Sequence, residues 1–576
     1  TALSVVPADF VTTTEGTGVV HTAVMYGEDD YQLGEQVGLP KHHTVGLDGK
    51  FLPHVKGLAG RYVKAKETES AIYEHLKKTG AFFRSVPYTH DYPFCWRCDT
   101  PLLYYAKDSW FIAMTKVKEE LLKNAQEINW IPEYIKEGRF GEWLANVKDW
   151  AISRERYWGS PLPVWKCQAR NDQFQNPNSK TSSKLKAQSS KLSAGCGHWE
   201  VVGSVAELKK KSGKKFDDLH RPFIDEVSWP CEKCGGTMRR VPEVLDVWLD
   251  SGSMPFAQYH YPFENQTLID GQRSPRRHAE LDSASRSGKT EIPDQVRNDR
   301  SGVQFPADYI CEAIDQTRGW FYTLLAVSTI LGKGASYKNV ICLGHINDAK
   351  GQKMSKSKGN VVNPWDVIQR FGADPLRWYF YTVNQPGEPK NFDVAQIDEA
   401  VKKVFLILQN VVSFWKLYAT SPAPAQAPDA THVLDRWILA RLNAVVRTAT
   451  QELERYHVIE AARPIAEFVT DLSTWYVRRS RDRCKASDAA AVATLGYVLS
   501  AMSRLLAPFT PFFAEWLHRE VGGKASVHLQ DWPAAGEVDQ KLLEQMRAAR
   551  EVVATALAQR MAAGVKVRQP LASVTG

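Results

Sequence analysis

Two lysines and two hydroxyl side chains fall within the stretch Lys353–Ser357, which has Gly351 before it and Gly359 after it. Flanking glycines leave the backbone free to bend and close over a ligand. Ammonium groups on such a loop suit the charge that develops on a triphosphate as pyrophosphate departs. A solvated basic turn is the plainer interpretation of a lysine-rich pentapeptide, so the rest of the chain must decide between the two.

The length and composition of the chain are those of a globular protein. Its 576 residues suffice for about four domains of ~150 residues each. Apolar residues make up 43% and charged residues 24%, which are ordinary values. No apolar run reaches the ~18 residues of a membrane span and no signal peptide opens the sequence, which predicts a cytoplasmic protein without a membrane partner. The net charge of +8 fits a polyanionic partner.

The pattern of apolar residues predicts an α/β part followed by a helical part. Tyr309–Cys311 and Val340–Leu343 are strand candidates, and Lys116–Gln126 is a predicted helix. Gly16–Thr22 has the pattern of a turn that leads into a buried strand. A Pro/Ala linker, Ser421–Pro428, precedes the helical part. There an apolar stripe at helical spacing predicts bundle packing, and its residues are Ile438, Leu442, Val445, Val446, Ala449 and Leu453.

Two segments lack the composition of a folded core. Residues 168–195 are rich in Ser, Lys, Asn and Gln, and residues 267–302 are nearly free of large apolar groups. Neither can bury enough surface to offset its ordering entropy, so both are predicted to be loops or disordered inserts. A basic RNA-binding arm is the alternative for the second.

Four cysteines have the spacing of a structural zinc site. Cys231 and Cys234 form one C-x-x-C knuckle, and Cys167 and Cys196 are the candidates for the other two ligands. Because the first insert separates Cys167 from Cys196, we predict a second knuckle that an insertion has split. Unrelated buried cysteines are the plainer interpretation, and His198 is a substitute ligand.

Cys95 and Cys98 form a further knuckle for which the sequence offers no partner pair, so its missing ligands are expected upstream of Thr1. The remaining cysteines stand alone in apolar or helical contexts, which favours core packing; they are Cys311, Cys342 and Cys484.

With these features in place, four segments together resemble the isoleucyl-tRNA synthetases, a family of class I aminoacyl-tRNA synthetases. They are Asp149–Gly159 (DWAISRERYWG), Asp246–Gly252 (DVWLDSG), Glu312–Phe321 (EAIDQTRGWF) and Lys353–Ser357 (KMSKS). The resemblance covers nearly the whole chain apart from the two inserts. It implies the second half of a class I Rossmann catalytic domain with part of a β-rich editing insertion, a zinc-knuckle insertion and a C-terminal all-α anticodon-binding bundle.

The resemblance also divides the chain into parts. These are the editing domain (1–85), a connecting segment (86–148), the Rossmann second half with its zinc insertion at 167–240 (149–330), the KMSKS region (331–395) and the anticodon-binding domain (396–576).

The implied activity is ATP-dependent activation of isoleucine to an adenylate, with Mg²⁺, and transfer of the aminoacyl group to tRNA(Ile). Lys356, and secondarily Lys353, would stabilise charge on the departing pyrophosphate, with Ser355 and Ser357 on the same ATP-binding loop.

The resemblance assigns five further residues to the substrate site. Glu312 would face the ammonium group of the aminoacyl end, and Asp315 and Gln316 would bind ribose hydroxyls or orient the substrate. Trp248 and Trp320 would wall the isoleucine side chain, and core packing is the plainer interpretation of either tryptophan.

A hydrolytic editing site is implied as well, because an apolar pocket discriminates poorly against a substrate that lacks one methylene. Asp30 would anchor the α-amino group of a mischarged valine, and His21 would line the same pocket. Asp30 by itself would otherwise be a surface or helix-capping acid. Val24-Met25 departs from the family pattern, which has a proline there.

The segment Trp475–Arg483 brings four arginines next to aromatic residues. A solvated helix face is one interpretation, and phosphate contact on a bundle is the other. Given the resemblance, Arg478, Arg479 and Arg481 are candidates for contact with tRNA, and a monomer is expected.

No H-x-G-H motif occurs in the chain. With the resemblance, that observation predicts an internal fragment, truncated at both ends, that lacks adenylation activity by itself. A catalytically inactive tRNA-binding remnant is the alternative of a different class, and a valine-specific sister enzyme is a third reading.

Overall fold

The computed structural model describes residues 5–14, 16–87, 89–95, 98–168, 194–271, 305–355 and 359–571. Contacts within the chain divide it into two compact units, Thr1–Phe111 and Ile112–Gly576.

The first unit contains two helices, α1 (Glu28–Val37) and α2 (Lys66–Lys78). Isolated bridges join Val45 to Phe51 and Lys50 to Tyr62. The buried strand expected at Gly16–Thr22 is wrong, because the backbone there is irregular and its two valines are exposed. A strand needs a neighbour to take its hydrogen bonds, and within the described part of this unit no ladder forms beside that segment.

From Phe111 onward, the described residues form thirteen short strands that are interleaved with helices. The strands are β1 (Phe111–Ile112), β2 (Asn129–Ile131), β3 (Trp150–Ala151), β4 (Ser153–Arg154), β5 (Val164–Gln168), β6 (Ala194–Val201), β7 (Ser228–Pro230), β8 (Thr237–Arg240), β9 (Val244–Leu245), β10 (Ala307–Ala313), β11 (Tyr337–Leu343), β12 (Ile346–Asn347) and β13 (Lys390–Asn391). The helices of this part are α3 (Lys118–Gln126), α4 (Glu142–Ala145), α5 (Val205–Ser212), α6 (Val247–Ala257), α7 (Gln266–Gly271), α8 (Trp320–Ile330), α9 (Pro364–Phe371) and α10 (Ala373–Thr382). Tight turns of 3₁₀ or π type lie at Met114–Val117, Lys136–Gly141, Phe223–Glu226 and Ile314–Arg318.

A parallel sheet in the order β10-β11-β2 forms the core of the α/β part. Both strands expected from the sequence lie in it, and the predicted helix near Lys116 is α3. Trp130, Phe321 and Tyr337 are fully buried against the sheet. In sheets of this kind ligands bind beyond the carboxyl ends of the strands. Glu312 lies near that end of β10, paired with Cys342 on β11.

A second sheet, in the order β6-β5-β8-β7, is antiparallel and carries the four clustered cysteines. Gln168 on β5 pairs with Ala194 on β6, so both ends of the first predicted insert belong to a strand pair. Residues 169–193 and 272–304 lie outside the described residues. The second predicted insert begins too early, because α7 occupies Gln266–Gly271.

The C-terminal part is helical, as expected, and its helices are α11 (Val394–Ala400), α12 (Leu406–Lys416), α13 (Val433–Glu454), α14 (Val458–Asp471), α15 (Arg478–Lys485), α16 (Ala489–Leu506), α17 (Pro511–Glu520) and α18 (Gln540–Ala562). Turns of π type join α11 to α12 (Val401–Phe405) and α14 to α15 (Leu472–Val477), and a 3₁₀ turn lies at Val527–Leu529. The predicted apolar stripe lies on α13, inside the largest core of the molecule. α16 is long and apolar enough to cross a membrane, but 61% of its 18-residue window is buried within the protein, as in a core helix.

Candidate functional site: motif segments around one sheet edge

Asp246 joins two of the motif segments. It is 4% exposed and immediately precedes α6. Its carboxylate accepts hydrogen bonds from Trp150 Nε1 at 3.2 Å, from Arg154 Nη2 at 2.6 Å and from the backbone N–H of Trp248 at 3.2 Å. One buried carboxylate therefore caps the helix that carries Trp248 and fixes that helix to β3 and β4.

The third segment packs directly against the second. A Cβ at Gly252 on α6 would lie 2.8 Å from the carbonyl oxygen of Thr323 on α8, so the two helices approach at backbone distance. A Cβ at Gly319 would lie 3.4 Å from the ring of Trp248. Glycine at position 319 leaves room for the side chain of Gln316, because a Cβ there would lie 2.5 Å from Gln316 Oε1.

Within the turn that precedes α8, the side chain of Gln316 is hydrogen-bonded to neighbouring residues. Its Oε1 accepts from the N–H of Trp320 at 2.8 Å, and its Nε2 donates to Asp315 Oδ2 at 3.3 Å. Asp315 and Glu312 are exposed, whereas Trp320 is half-buried and packs on the sheet core. Of the two expected pocket walls, Trp248 therefore presents more surface to solvent than Trp320 does.

The Lys353–Ser357 loop begins six residues beyond the end of β12 and is braced by one carboxylate and one amide. Asp348 Oδ1 accepts from the N–H groups of Lys350 and Gln352 at 2.9 and 2.8 Å. Its Oδ2 accepts from Asn360 Nδ2 at 2.9 Å, and Asn360 Oδ1 accepts from the N–H of Ser355 at 2.9 Å. The hydrogen bonds from Asn360 first, and from the backbone, hold the pKa of Asp348 below its ordinary value.

Lys353 is exposed and pairs through a single bridge with Asn347, while Ser355 is half-buried. Lys356 and Ser357 lie outside the described residues. Sequence reasoning missed the brace of Asp348 and Asn360, because a contact between residues this far apart has no local signal. The one clue in the sequence is that Asn360 directly follows Gly359, at the end of the segment that carries the lysines.

The four predicted zinc ligands lie together. The Sγ atoms of Cys167, Cys196, Cys231 and Cys234 lie within 4.8 Å of one another. Cys167 Sγ is 3.4 Å from Cys234 Sγ, and Cys196 Sγ is 3.8 Å from Cys231 Sγ. Four thiolates at about 2.3 Å from a tetrahedral zinc would be about 3.8 Å apart, so this donor set fits the ion in number, chemistry and spacing.

The environment gives these sulfurs different acidities. The pKa of Cys234 is lowered to about 7, because the N–H of Gly236 and the thiol of Cys167 donate to its sulfur. A backbone hydrogen bond at Cys196 acts to lower the pKa of Cys167, but burial and the other thiols outweigh it and raise that pKa to about 12. A divalent cation would favour the thiolate form of all four sulfurs, since metal binding needs thiolates.

The other candidate metal ligands, His198 and the Cys95–Cys98 knuckle, lie outside this cysteine group. His198 Nε2 lies 2.9 Å from Glu200 Oε1, within hydrogen-bond distance, and is not part of the cysteine group. In the first unit Cys98 Sγ lies 3.2 Å from Thr100 Oγ1, and hydrogen bonds from Thr100 lower the pKa of its thiol. Within the described residues, Cys95 and Cys98 belong to no group of three or more candidate ligands.

The two editing candidates occupy different local environments in the first unit. Asp30 lies in the first turn of α1, where its carboxylate covers the backbone of Gly27. His21 is exposed, and no hydrogen bond joins it to Asp30 in the part of the unit that is described. Val24, which departs from the family pattern, is buried against Gly34 of α1 and so fixes the preceding turn to the helix.

The arginines at the start of α15 divide into two roles. Arg478, Arg479 and Arg481 are exposed, and the guanidinium of Arg479 lies 4.8 Å from the ring centre of Trp475. Arg483 instead points into the bundle, where it binds Asp435 through two nitrogens. Only the first three offer a surface for phosphate contact.

Comparison with known proteins agrees with this arrangement. The family model for tRNA synthetases class I (I, L, M and V) matches residues 24–273 and 281–393, and the model for the anticodon-binding domain of tRNA ligase matches residues 435–575. Isoleucine--tRNA ligase of Dehalococcoides mccartyi strain 195 is 43% identical over 591 residues, which cover 99% of this chain and 53% of that protein.

Two further relatives give the same result. The isoleucine--tRNA ligases of Clostridium novyi and Thermus thermophilus are 43% and 44% identical, covering 100% and 98% of this chain but 51% and 50% of their own length. The chain thus spans about half the length of the curated relatives it matches. By the family models and by its similarity to these relatives, it belongs to the class I tRNA synthetases.

Proposed function

We propose that this chain functions in the ligation of isoleucine to tRNA(Ile). The observation that carries the proposal is that Glu312 lies at the carboxyl edge of the parallel sheet, near the end of β10, while the Lys353–Ser357 loop comes after the neighbouring strand β11 and the short strand β12. That edge is where an α/β sheet binds its ligand, and it lies in a chain similar to isoleucine--tRNA ligases along its whole length.

The chemistry proposed is attack of the isoleucine carboxylate on the α-phosphorus of ATP, with pyrophosphate as the leaving group. Lys353 and Lys356 would stabilise charge on that leaving group, and the brace between Asp348 and Asn360 would hold the loop in register. Mg²⁺ would offset triphosphate charge, bound chiefly through the phosphates of ATP.

Substrate recognition would use Glu312 for the ammonium group, with Asp315 and Gln316 at the ribose. Trp248 and Trp320 would contact the isoleucine side chain. Hydrolysis of mischarged valine would depend on Asp30 and His21 in the first unit.

The remaining parts have supporting roles in this proposal. The cysteine cluster would hold a structural Zn²⁺, and Arg478, Arg479 and Arg481 would contact tRNA phosphates. In this proposal the protein is a cytoplasmic monomer with the five-part domain division given above.

The test is calorimetric binding of non-hydrolysable isoleucyl- and valyl-adenylate analogues to the chain, with tRNA(Ile) binding measured in parallel. We expect tighter binding of the isoleucyl analogue and its weakening in Trp248→Ala, with Trp365→Ala as the control. Binding of tRNA without either analogue would favour a tRNA-binding remnant instead. Preference for the valyl analogue would contradict the assignment.

A further inference from the structure

A buried ammonium group lies in the α/β part without a carboxylate partner. Lys390, on β13, is 7% exposed, and among the described residues no ion pair forms at its side chain. Burial lowers the pKa of Lys390, and the charge of Glu388 offsets only part of this effect. Because burying an unpaired charge is costly, a lysine is rarely found in such a place unless other groups replace its lost hydration.

Oxygen atoms of one turn replace that hydration. The ammonium of Lys390 donates to Asn384 Oδ1 at 2.8 Å, to the backbone oxygen of Gln385 at 2.9 Å and to that of Asn384 at 3.4 Å. An ammonium group has three N–H donors, so the three acceptors match it in number. Asn384 Nδ2 in turn donates to the backbone oxygen of Pro389 at 3.0 Å. The lysine therefore holds residues 384–389 together as a closed turn, the 384–389 turn.

The 384–389 turn lies at the carboxyl edge of the parallel sheet. The backbone N–H of Gly344, which follows β11, donates to a carbonyl oxygen of the turn at 2.7 Å. A Cβ at Gly344 would overlap the backbone of Glu388, and a Cβ at Gly387 would lie 2.5 Å from the ring of Pro132, which follows β2. The turn thus packs closely on the residues that end two strands of the sheet, at the edge where ligands bind in sheets of this kind.

Strand β13 connects this turn to the Lys353–Ser357 loop. It pairs with β12, and the backbone N–H of Lys390 donates to the backbone oxygen of His345 at 2.8 Å. β12 also pairs with the loop, since an isolated bridge joins Asn347 to Lys353. A continuous set of backbone contacts therefore leads from the turn that the ammonium holds to the first lysine of the loop.

We propose that Lys390 is a positioning residue for the Lys353–Ser357 loop. Its ammonium fixes the 384–389 turn, the turn fixes β13 against β12, and β12 holds the loop where its lysines can reach the phosphates of ATP. The proposal rests on the proposed function and adds to it a residue that acts without touching the substrate. Without the ammonium the loop loses this support, whereas Trp248 keeps its own, which comes from Asp246.

The test compares the affinities of the whole chain for ATP with Mg²⁺ and for a non-hydrolysable isoleucyl-adenylate analogue, both measured by calorimetry. The two ligands share the adenosine part, but only ATP carries the phosphates that the loop would bind. Lys390→Met should weaken ATP binding about 10-fold or more, as for the loss of one hydrogen bond to a charged group. The affinity for the analogue should stay within about twofold of the wild type, a difference that general destabilisation would not produce.

Two further variants complete the test. Asn384→Ala removes one of the three acceptors and should show the same selective loss to a smaller extent, which provides the comparison if Lys390→Met does not fold. Lys338→Met, at a half-exposed lysine paired with Asp308, is the control and should leave both affinities unchanged.

Three results would overturn the role of Lys390. If its loss weakens both ligands by the same factor, or neither, the lysine supports the fold without positioning the loop, while the proposed function stands. If the wild-type chain binds the analogue but not ATP, the loop does not hold the phosphates and the role fails alone. If the wild-type chain binds neither ligand, the role and the proposed function both fail.

Discussion

Two buried aspartates in different parts of the molecule have nearly the same partners but different surroundings. Asp246 accepts hydrogen bonds from an arginine, Arg154, and from the indole of Trp150. Asp435 accepts from Arg483 through two nitrogens, at 2.9 and 2.7 Å, and from the hydroxyl of Tyr476 at 2.8 Å. The arginine beside Asp246 is 40% exposed, whereas the one beside Asp435 is 19% exposed.

The two aspartates differ in what their hydrogen bonds do: those of Asp435 hold helices of the bundle together, whereas those of Asp246 orient a side chain. Asp435 lies wholly inside the bundle, where a buried ion pair fixes which helices meet. Burial raises the pKa of Tyr476, and the hydrogen bonds that Arg483 donates to Asp435 raise the pKa of Arg483. Asp246 lies next to the proposed substrate site. Its arginine partner, Arg154, is partly exposed to solvent, and its carboxylate orients Trp248 by accepting from the backbone N–H of that residue. The same chemistry thus stabilises one region and positions a side chain in the other.

The largest expected effect is on zinc binding, and it tests whether the α/β part and the helical bundle are stabilised independently of each other. Removal of one zinc ligand by Cys231→Ser should reduce bound zinc from one ion per chain to none, since three thiolates leave the tetrahedral site incomplete. Metal binding in such sites contributes about 10 kcal/mol or more to local folding. Amide exchange should therefore accelerate in β5–β8 while the bundle stays protected, as measured by mass spectrometry. Cys311→Ser, at an exposed cysteine outside the cluster, should keep the zinc; full zinc in Cys231→Ser would contradict the site.

The next effect concerns the bundle aspartate. Asp435→Ala should lower the free energy of unfolding by about 3 kcal/mol, because it leaves Arg483 without its main buried partner. Urea unfolding followed by circular dichroism measures the change. Arg436→Ala removes an exposed ion pair with Asp539 and should cost less than about 1 kcal/mol. Equal losses in the two variants would remove the distinction between buried and exposed pairs.

The corresponding change next to the proposed substrate site should have a smaller effect on stability and a larger effect on ligand binding. Asp246→Ala should cost about 1 kcal/mol, the loss of a helix cap, because water can reach the half-exposed Arg154. Binding of an isoleucyl-adenylate analogue should weaken nonetheless, since Trp248 loses its backbone anchor. Calorimetry checks the binding and urea unfolding the stability. If Asp246→Ala destabilises as much as Asp435→Ala and leaves binding intact, the comparison is wrong.

The smallest effect is a pH dependence at the bundle surface. The backbone N–H of Val527 first, then Arg519, lowers the pKa of Glu515 to about 2. A lowered carboxyl pKa stabilises the fold above the ordinary value of about 4.3, and this stabilisation is lost as the pH falls through about 2. The gap in urea midpoint between wild type and Glu515→Gln should therefore be widest near pH 6 and narrow on acidification. Glu467→Gln, 71% exposed and 3.8 Å from Arg441, should show no such trend.

Local patterns were sufficient where a residue's environment is set by its neighbours in sequence. The apolar stripe on α13, the strands at the centre of the parallel sheet and the helix α3 follow from periodicity and are present. The strand expected at Gly16–Thr22 is absent, because a strand depends on a partner that the segment cannot specify by itself. Arg483 shows the same limit in a helix: its sequence context matches Arg478 and Arg481, but only the fold turns it toward Asp435.

The sequence by itself determined the chemistry of this protein: the lysine loop, the cysteine quartet and the motif segments were all readable from residue type and spacing. Tertiary structure decided which of those residues meet. It brought Cys167 next to Cys234 across a strand pair, tied Asp348 to Asn360 and placed His220 over Trp158. Each of these contacts joins residues separated by a turn or a sheet, and local propensity carries no information about the partner of a side chain at that range.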